Sequence, residues 1–95
     1  MKKVNRKLIP NCLRKYRKAR GLKQKEVAKI LGLKSTSMIS RWEKGTCLPK
    51  ALNIFRLAVL YQTMADALFV DLRSLIKEEI RKRKELLENE FESKR

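Results

Sequence analysis

The sequence predicts an all-α domain, and two observations carry that prediction. Apolar residues recur at spacings of three and four along most of the chain, as they do on the buried side of amphipathic helices. The 95 residues include only three glycines and two prolines, which fall mainly between the periodic stretches. A chain of this length buries only about 60–65% of its extended surface, which leaves room for one core. We therefore expect one small helical domain with its functional groups on the surface.

The chain is strongly basic, and the basic residues are concentrated at its start. It carries 25 Lys and Arg against 10 Asp and Glu, a net charge of +15. Residues 1–34 hold thirteen of the bases and one acid, which gives +12. This asymmetry is typical of a protein that binds a polyanion, since neutralised phosphates release condensed counterions. Two alternative explanations of the positive charge are a solvated surface that keeps the protein soluble and a surface that binds an anionic membrane. The sequence does not favour membrane binding, because it has no basic amphipathic helix with aromatic anchors.

The sequence lacks the residues and segments that several functions require. The chain has no His, the commonest zinc ligand and the usual general base near neutral pH. Cys12 and Cys47 stand far apart and are expected to be free thiols in a reducing cytoplasm. The longest apolar stretch, residues 57–70, is interrupted by polar residues and is too short to span a bilayer. We expect no enzymatic activity, metal, cofactor, small-molecule substrate or membrane partner.

The periodic stretches and their separators predict six helices. They cover residues 12–20, 23–31, 36–44, 49–61, 63–69 and 73–91. Asn11 and Ser35 are expected to cap the first and third helices, and Gly21 and Gly32 to end the first and second. The predicted organisation is a basic arm at residues 1–10, a domain at 11–70 and a charged amphipathic segment at 71–95.

Each predicted helix has an apolar stripe. On the first helix Leu13 and Tyr16 face inward and the basic residues outward. The expected inward residues of the second to fifth helices are Val27, Ala28 and Leu31; Met38, Ile39 and Trp42; Leu52, Ile54, Phe55, Ala58, Val59 and Tyr61; and Met64, Ala67, Leu68 and Phe69. The segment from Asp71 onward carries Leu72, Ile76, Ile80, Leu87 and Phe91, a series that is interrupted at Arg83 and Lys84.

Two short helices joined by a tight glycine-containing turn, the second with a polar outer side, are typical of a helix-turn-helix. Residues 13–69, about 57 of the 95, resemble the Xre family, the DNA-binding domain of phage Cro and CI repressors. The matching residues are Arg17, Arg20, Gly21-Leu22, Gln24, Ala28, Leu31-Gly32, the run from Ile39 to Gly45, Pro49 and Ala67-Leu68-Phe69. The resemblance implies a five-helix repressor-like helix-turn-helix domain, to which this chain adds a charged C-terminal helix.

The third helix is the one that would enter DNA. An α-helix fits the major groove of B-DNA, so this helix would point its polar side at the base edges. The residues expected to contact bases are Thr36, Ser37, Ser40 and Arg41. Arg41 is expected to set most of the specificity, because a guanidinium can donate two parallel bonds to guanine O6 and N7. The alternatives for Arg41 are a phosphate contact or a solvated side chain.

Other polar residues are expected to hold the DNA backbone or the fold. Lys23 and Gln24 are expected to contact phosphate, because the N-terminus of the second helix attracts anions. The resemblance implies further phosphate contacts from Lys44, Thr46 and Lys50, and Arg14 on the first helix is an additional candidate. Lys23 stands where the family more often has a capping Ser or Thr, a departure expected to weaken the cap by about 1 kcal/mol. The resemblance also implies a buried ion pair of Arg17 and Glu43 that ties the first helix to the end of the third. The alternative is two independent surface charges.

The resemblance implies a sequence-specific transcriptional regulator of double-stranded DNA, most often a repressor in small members. It also implies a bacterial or phage cytoplasmic protein associated with the nucleoid. The alternative function is a protein-interaction module, such as an antitoxin or assembly factor, whose C-terminal helix binds a partner.

The resemblance also implies a homodimer on half-sites about one turn apart, roughly 34 Å centre to centre. Residues 68–70 or the terminal helix through Ile76, Ile80 and Leu87 could form its interface. Docking of that helix on its own domain is an equal alternative. The arm at Lys2, Lys3, Arg6 and Lys7 could reach a minor groove or phosphates, or remain solvated.

Overall fold

The structure is a computed structural model that describes residues 8–93, and within that range every regular element is an α-helix. The helices are α1 (Leu13–Ala19), α2 (Gln24–Ile30), α3 (Ser37–Lys44), α4 (Ala51–Tyr61), α5 (Ala65–Leu68) and α6 (Val70–Ser93). The all-α prediction is confirmed. Residues 1–7 of the predicted N-terminal arm, which include Lys2, Lys3, Arg6 and Lys7, lie outside the described residues.

The helices α1 and α3 each begin one residue later than predicted. The Asn11 side-chain oxygen accepts a hydrogen bond from the Leu13 amide at 3.0 Å, but the N-cap residue of α1 is Cys12. In the same way the Ser35 hydroxyl accepts the Ser37 amide at 3.2 Å, and the N-cap of α3 is Thr36. Each polar side chain therefore forms a small turn two residues before the helix instead of capping from the adjacent position.

Left-handed glycines follow α1, α2 and α3. Gly21, Gly32 and Gly45 have φ of +71°, +77° and +83°. After Gly32, the Leu33 amide turns back and donates to the Ala28 carbonyl at 2.8 Å, the bond of a Schellman motif. The chain therefore reverses sharply after α2, which directs it into the turn before α3.

One core joins the first five helices. Its buried residues are Leu13, Val27, Ala28, Ile39, Trp42, Leu57, Ala58, Tyr61, Leu68 and Phe69. Within this core α3 packs against α1 and α2, while α4 packs against α1 and α5. The apolar side of α3 is thus fixed from two directions, and its polar side is left at the surface.

The predicted inner side of α4 was partly wrong. Leu52, Phe55 and Val59 are 61%, 62% and 78% exposed, whereas Leu57 is 1% exposed and lies in the core. Apolar residues occur on every side of α4, so their periodicity does not identify the buried side. Contacts with α1 and α5 determine which side of α4 is buried. Met64, also expected inside, is 75% exposed.

The predicted dimer surface at residues 68–70 is wrong for two of its three residues. Leu68 and Phe69 are 0% and 8% exposed and belong to the domain core, and only Val70 is exposed. The helix α6 begins directly after Phe69 and is 24 residues long, which is longer at both ends than predicted. Its residues from Arg73 to Glu92 are all exposed, so the structure does not show α6 docked on its own domain.

The end of α3 packs closely against the segment before α1 at Gly45. A methyl group on Gly45 would lie 2.9 Å from the Ile9 amide nitrogen and closer still to the Ile9 carbonyl oxygen. A methyl group on Gly32 would meet nothing within 4 Å, although Gly32 has a similar positive φ. We expect Gly32→Ala to lower the free energy of unfolding by about 1 kcal/mol, from backbone strain alone.

We expect Gly45→Ala to lower the free energy of unfolding by at least about 1 kcal/mol more than Gly32→Ala, because the Ile9 backbone must also move. Urea unfolding followed by circular dichroism measures both variants. Equal losses would contradict the close approach of Ile9.

Candidate nucleic-acid interface

The helix α3 has one buried side and one polar side. Ile39 and Trp42 are 1% and 3% exposed and point into the core. The four residues predicted to contact bases lie on the other side: Ser37 and Arg41 are exposed, and Thr36 and Ser40 are half-buried. Thr36 is the N-cap residue and precedes the first turn. The structure therefore places these four side chains together at the surface.

Arg41 combines a fixed backbone with an available side chain. Its carbonyl accepts bonds from the Gly45 amide at 3.0 Å, the Thr46 amide at 3.1 Å and the Thr46 hydroxyl at 3.2 Å. Within residues 8–93, no hydrogen bond or ion pair engages its guanidinium, which is exposed. This side chain can therefore bind an external group without breaking a contact in the fold.

The carboxylate of Glu43 lies behind the polar side of α3 and binds Arg17 at two points. Arg17 Nε donates to Oε2 at 2.6 Å, and Nη2 donates to Oε1 at 3.1 Å. The two side chains are 9% and 6% exposed. The hydrogen bond to Glu43 raises the pKa of Arg17 although burial opposes it, so the guanidinium stays charged. This ion pair connects α1 to the end of α3.

Periodicity had placed Arg17 on the outer side of α1, and this expectation was wrong. Arg17 is 8% exposed, and its third nitrogen, Nη1, donates to the Leu22 carbonyl at 2.9 Å. All three guanidinium nitrogens therefore have acceptors inside the protein. A buried cation is tolerated when its donors are satisfied in this way.

Gln24, predicted to contact phosphate, also binds Glu43. Its side-chain nitrogen donates to Glu43 Oε1 at 3.0 Å, so the same oxygen receives both Gln24 and Arg17. A carboxamide nitrogen carries two protons, and the second remains available to an external acceptor. Gln24 therefore joins α2 to the end of α3 and still has one donor for a phosphate.

Asn11 is a residue of the site that sequence reasoning interpreted only as a cap. Its side-chain nitrogen donates to the carbonyls of Ile9 at 3.0 Å and Trp42 at 3.1 Å. The Ile9 amide donates to the Gly45 carbonyl at 2.8 Å. The segment before α1 is thereby attached to the end of α3. The available signal was that Asn supplies donors as well as an acceptor.

The remaining predicted phosphate contacts lie at helix ends or on α1. Lys44 is the last residue of α3, Lys50 is the N-cap of α4, and both are exposed, as is Arg14 on α1. Thr46 differs, because its only hydroxyl proton is donated to the Arg41 carbonyl. Thr46 therefore closes α3 here, and a phosphate contact from its hydroxyl would require breaking that bond.

Lys23 is the exposed N-cap of α2 and makes no side-chain cap bond. The Glu26 carboxylate accepts the Lys23 amide at 2.8 Å, which is half of a capping box. This bond offsets part of the expected loss of the cap and leaves the ammonium group in solvent.

Comparison with known families agrees with this geometry. The sequence profile described as helix-turn-helix matches residues 13–66, more than half of the chain. The chain belongs to the Xre family of helix-turn-helix proteins. The Xre family consists of DNA-binding regulators and is generally non-enzymatic. No curated protein and no solved structure matches the chain.

In this Xre domain, α2 and α3 are the helix-turn-helix pair and Gly32 lies in the turn between them. Across residues 8–93, no helix is both long and apolar enough to cross a membrane. The same residues contain no group of three Cys, Asp or Glu side chains that could hold a metal ion.

Removing the negative charge of Glu43 tests the ion pair between Arg17 and Glu43. We expect Glu43→Gln to lower the free energy of unfolding by about 3 kcal/mol, because Arg17 is then left buried without its counter-ion. The control is Glu79→Gln, which removes an exposed ion pair with Arg83. This variant should change the free energy of unfolding by less than about 1 kcal/mol. Urea unfolding of both variants measures the difference. Similar small losses would show that the buried pair does not hold α1 to α3.

Tyr61 gives a pH-dependent test of the same region. Burial raises the pKa of Tyr61 to about 12, with Glu43 adding to the shift and Arg17 opposing it. The fold favours the neutral phenol, so its contribution to stability is complete below about pH 10 and falls as the pH rises through about 12. In Tyr16→Phe, where Tyr61 is the remaining tyrosine, we expect the tyrosinate absorbance to appear near pH 12. Ionisation near pH 10 in folded protein would contradict the burial.

Proposed function

We propose that this protein is a sequence-specific transcriptional repressor that binds double-stranded DNA with α3 in the major groove. The observation that carries the proposal is the arrangement of α3. Its apolar side is held in the core by Ile39 and Trp42, its end is attached through Glu43, and its opposite side presents the free guanidinium of Arg41. A helix held in this way can enter the groove without reorganising, which lowers the entropic cost of binding.

Arg41 is proposed to read the bases. Two parallel bonds from a guanidinium to guanine O6 and N7 discriminate against the other bases by about 1–3 kcal/mol. Thr36, Ser37 and Ser40 are proposed as additional base contacts. Their hydroxyls both donate and accept, so they discriminate less between bases.

The exposed cations around α3 are proposed to hold the phosphates on both sides of the groove. They are Arg14, Lys23, Lys44 and Lys50, joined by the second proton of Gln24 and, with rearrangement of its hydroxyl, by Thr46. Each neutralised phosphate releases counterions, so binding should weaken steeply with salt. The +12 charge of residues 1–34 supports this assignment, since it places most of the excess on the helix-turn-helix part of the chain and the segment before it.

Repression is proposed to follow from occupancy. A homodimer on two half-sites about 34 Å apart would block other proteins from the same duplex. We propose on the same basis that the chain is a bacterial or phage protein of the cytoplasm, associated with the nucleoid.

Two variants separate base reading from phosphate binding. We expect Arg41→Ala to lose preference at one or two base pairs, at a cost of about 1–3 kcal/mol on the preferred site. Lys50→Ala should weaken binding to all sequences alike and lower the salt slope by about one. The control is Lys82→Ala, an equal loss of charge on α6, away from α3. Selection from random oligonucleotides, followed by titrations at several salt concentrations, measures these effects.

A uniform loss of affinity in Arg41→Ala, with sequence preference intact, would show that Arg41 contacts phosphate instead. Indifference of the unmodified protein to DNA sequence would reject the proposed repressor.

A further inference from the structure

The helix α6 carries an apolar stripe that nothing within the described chain covers. Ile76, Ile80, Leu87 and Phe91 are 47%, 47%, 54% and 64% exposed. At about 100° per residue these four side chains lie within an arc of about 60° on one side of the helix. Four exposed apolar side chains on one side of a helix, interrupted only by Arg83 and Lys84, are typical of an interaction surface.

The spacing of the stripe is the same in both directions along the helix. Ile76 and Ile80 are four residues apart, as are Leu87 and Phe91, and the midpoint falls between Arg83 and Lys84. If two copies of α6 packed antiparallel about that midpoint, Ile80 would oppose Leu87 of the second copy. Ile76 would then oppose Phe91 of the second copy. The stripe is therefore complementary to itself in the antiparallel direction.

The charge of α6 also differs between its two halves. Residues 70–83 hold five bases and three acids, a net charge of +2, whereas residues 84–93 hold one base and four acids, a net charge of −3. An antiparallel pair places each basic half against an acidic half, and a parallel pair places like halves together. On one flank, Lys77 would lie close to Glu88 of the second copy. Long-range electrostatics therefore favour the antiparallel direction.

The beginning of the stripe borders an apolar cleft on the domain. This cleft, of about 280 Å³, is lined largely by Leu48, Ile54, Ala65, Phe69, Leu72 and Ile76. Because Phe91 of the second copy would oppose Ile76, antiparallel packing brings its ring to the mouth of the cleft. In a parallel pair, the space beside Ile76 would have to admit the start of the second helix with its whole domain. The C-terminal end of α6 of the second copy is a single helix, so it fits beside Ile76 with less steric conflict.

We propose that α6 is the dimerisation helix and that it pairs antiparallel with α6 of a second copy. The proposal rests on the proposed function for its biological purpose, because it sets the spacing of the two DNA-binding units. The starts of the two helices would be separated by 27 residue steps, roughly 40 Å along the axis.

Arg83 and Lys84 lie at the centre of the stripe, where two copies meet. Arg83 donates to Glu79 of its own helix at 2.8 Å, which offsets part of its charge, and both side chains can extend to solvent. These cations meet their counterparts in either direction, so they do not favour a parallel pair. Polar groups at the centre of a helix pair lower its stability but specify its register.

A matched pair of substitutions tests the surface. Leu87→Glu adds a carboxylate within the stripe, whereas Leu75→Glu adds the same group on the opposite side of α6, where Leu75 is 61% exposed. Sedimentation of the full chain over a concentration series measures the dimer, and circular dichroism checks that each variant folds. We expect a dimer that Leu75→Glu retains and that Leu87→Glu weakens at least about 100-fold, since the symmetric interface receives the carboxylate twice. A monomeric unmodified chain, or equal dimerisation of both variants, would overturn the proposal.

The direction of pairing is tested by a distance. With Cys12 and Cys47 replaced by Ser and Ser74→Cys carrying a spin label, antiparallel helices place the two labels roughly 30 Å apart along the axis. Parallel helices would place them within about 20 Å, the width of two helices. A double electron–electron resonance measurement on the full chain distinguishes the two. The shorter distance would overturn the antiparallel arrangement.

These results are separable from the DNA-binding proposal. A monomeric chain that still prefers its selected sequence would overturn the dimer and leave base reading by α3 intact. A dimer with the longer label distance but no sequence preference would overturn only the repressor function.

Discussion

The arrangement of this domain depends on the buried carboxylate of Glu43. It receives two bonds from Arg17 on α1 and one from Gln24 on α2, while Glu43 itself lies near the end of α3. Three helices therefore meet at one charge. Because a buried carboxylate without its partner costs several kcal/mol, any rotation of α3 that breaks these bonds is strongly disfavoured. The ion pair acts on the orientation of α3 more than on net stability.

The end of α3 is held by a second set of contacts that involve only neutral groups. Asn11 donates to the Trp42 carbonyl, the Ile9 amide donates to the Gly45 carbonyl, and Thr46 closes the last turn on Arg41. Gly45 is needed here because its positive φ and the adjacent Ile9 backbone leave no room for a side chain. Both sets of contacts leave the Arg41 side chain free, which suits a residue that must bind an external partner.

Sequence patterns predicted some elements well and others poorly, for physical reasons. The inner side of α3 was predicted correctly because Ile39 and Trp42 are its main apolar residues and face one way. The inner side of α4 was predicted poorly because its apolar residues surround the helix, so that burying Leu57 and exposing Phe55 required knowledge of α1 and α5. Periodicity also placed Arg17 outward, because a repeat of apolar residues carries no information about a cation whose acceptors come from other helices.

The sequence by itself determined that the chain is helical, where most helices lie and which side of α3 is polar, because these depend on residues close together along the chain. It also determined the excess of positive charge on the helix-turn-helix part of the chain and the segment before it. Only the tertiary structure decided that Glu43 joins three helices, that Leu68 and Phe69 are internal, and that α6 leaves its apolar stripe uncovered. Those outcomes depend on which surfaces meet after folding, and such contacts between distant residues leave no periodic signal along the chain.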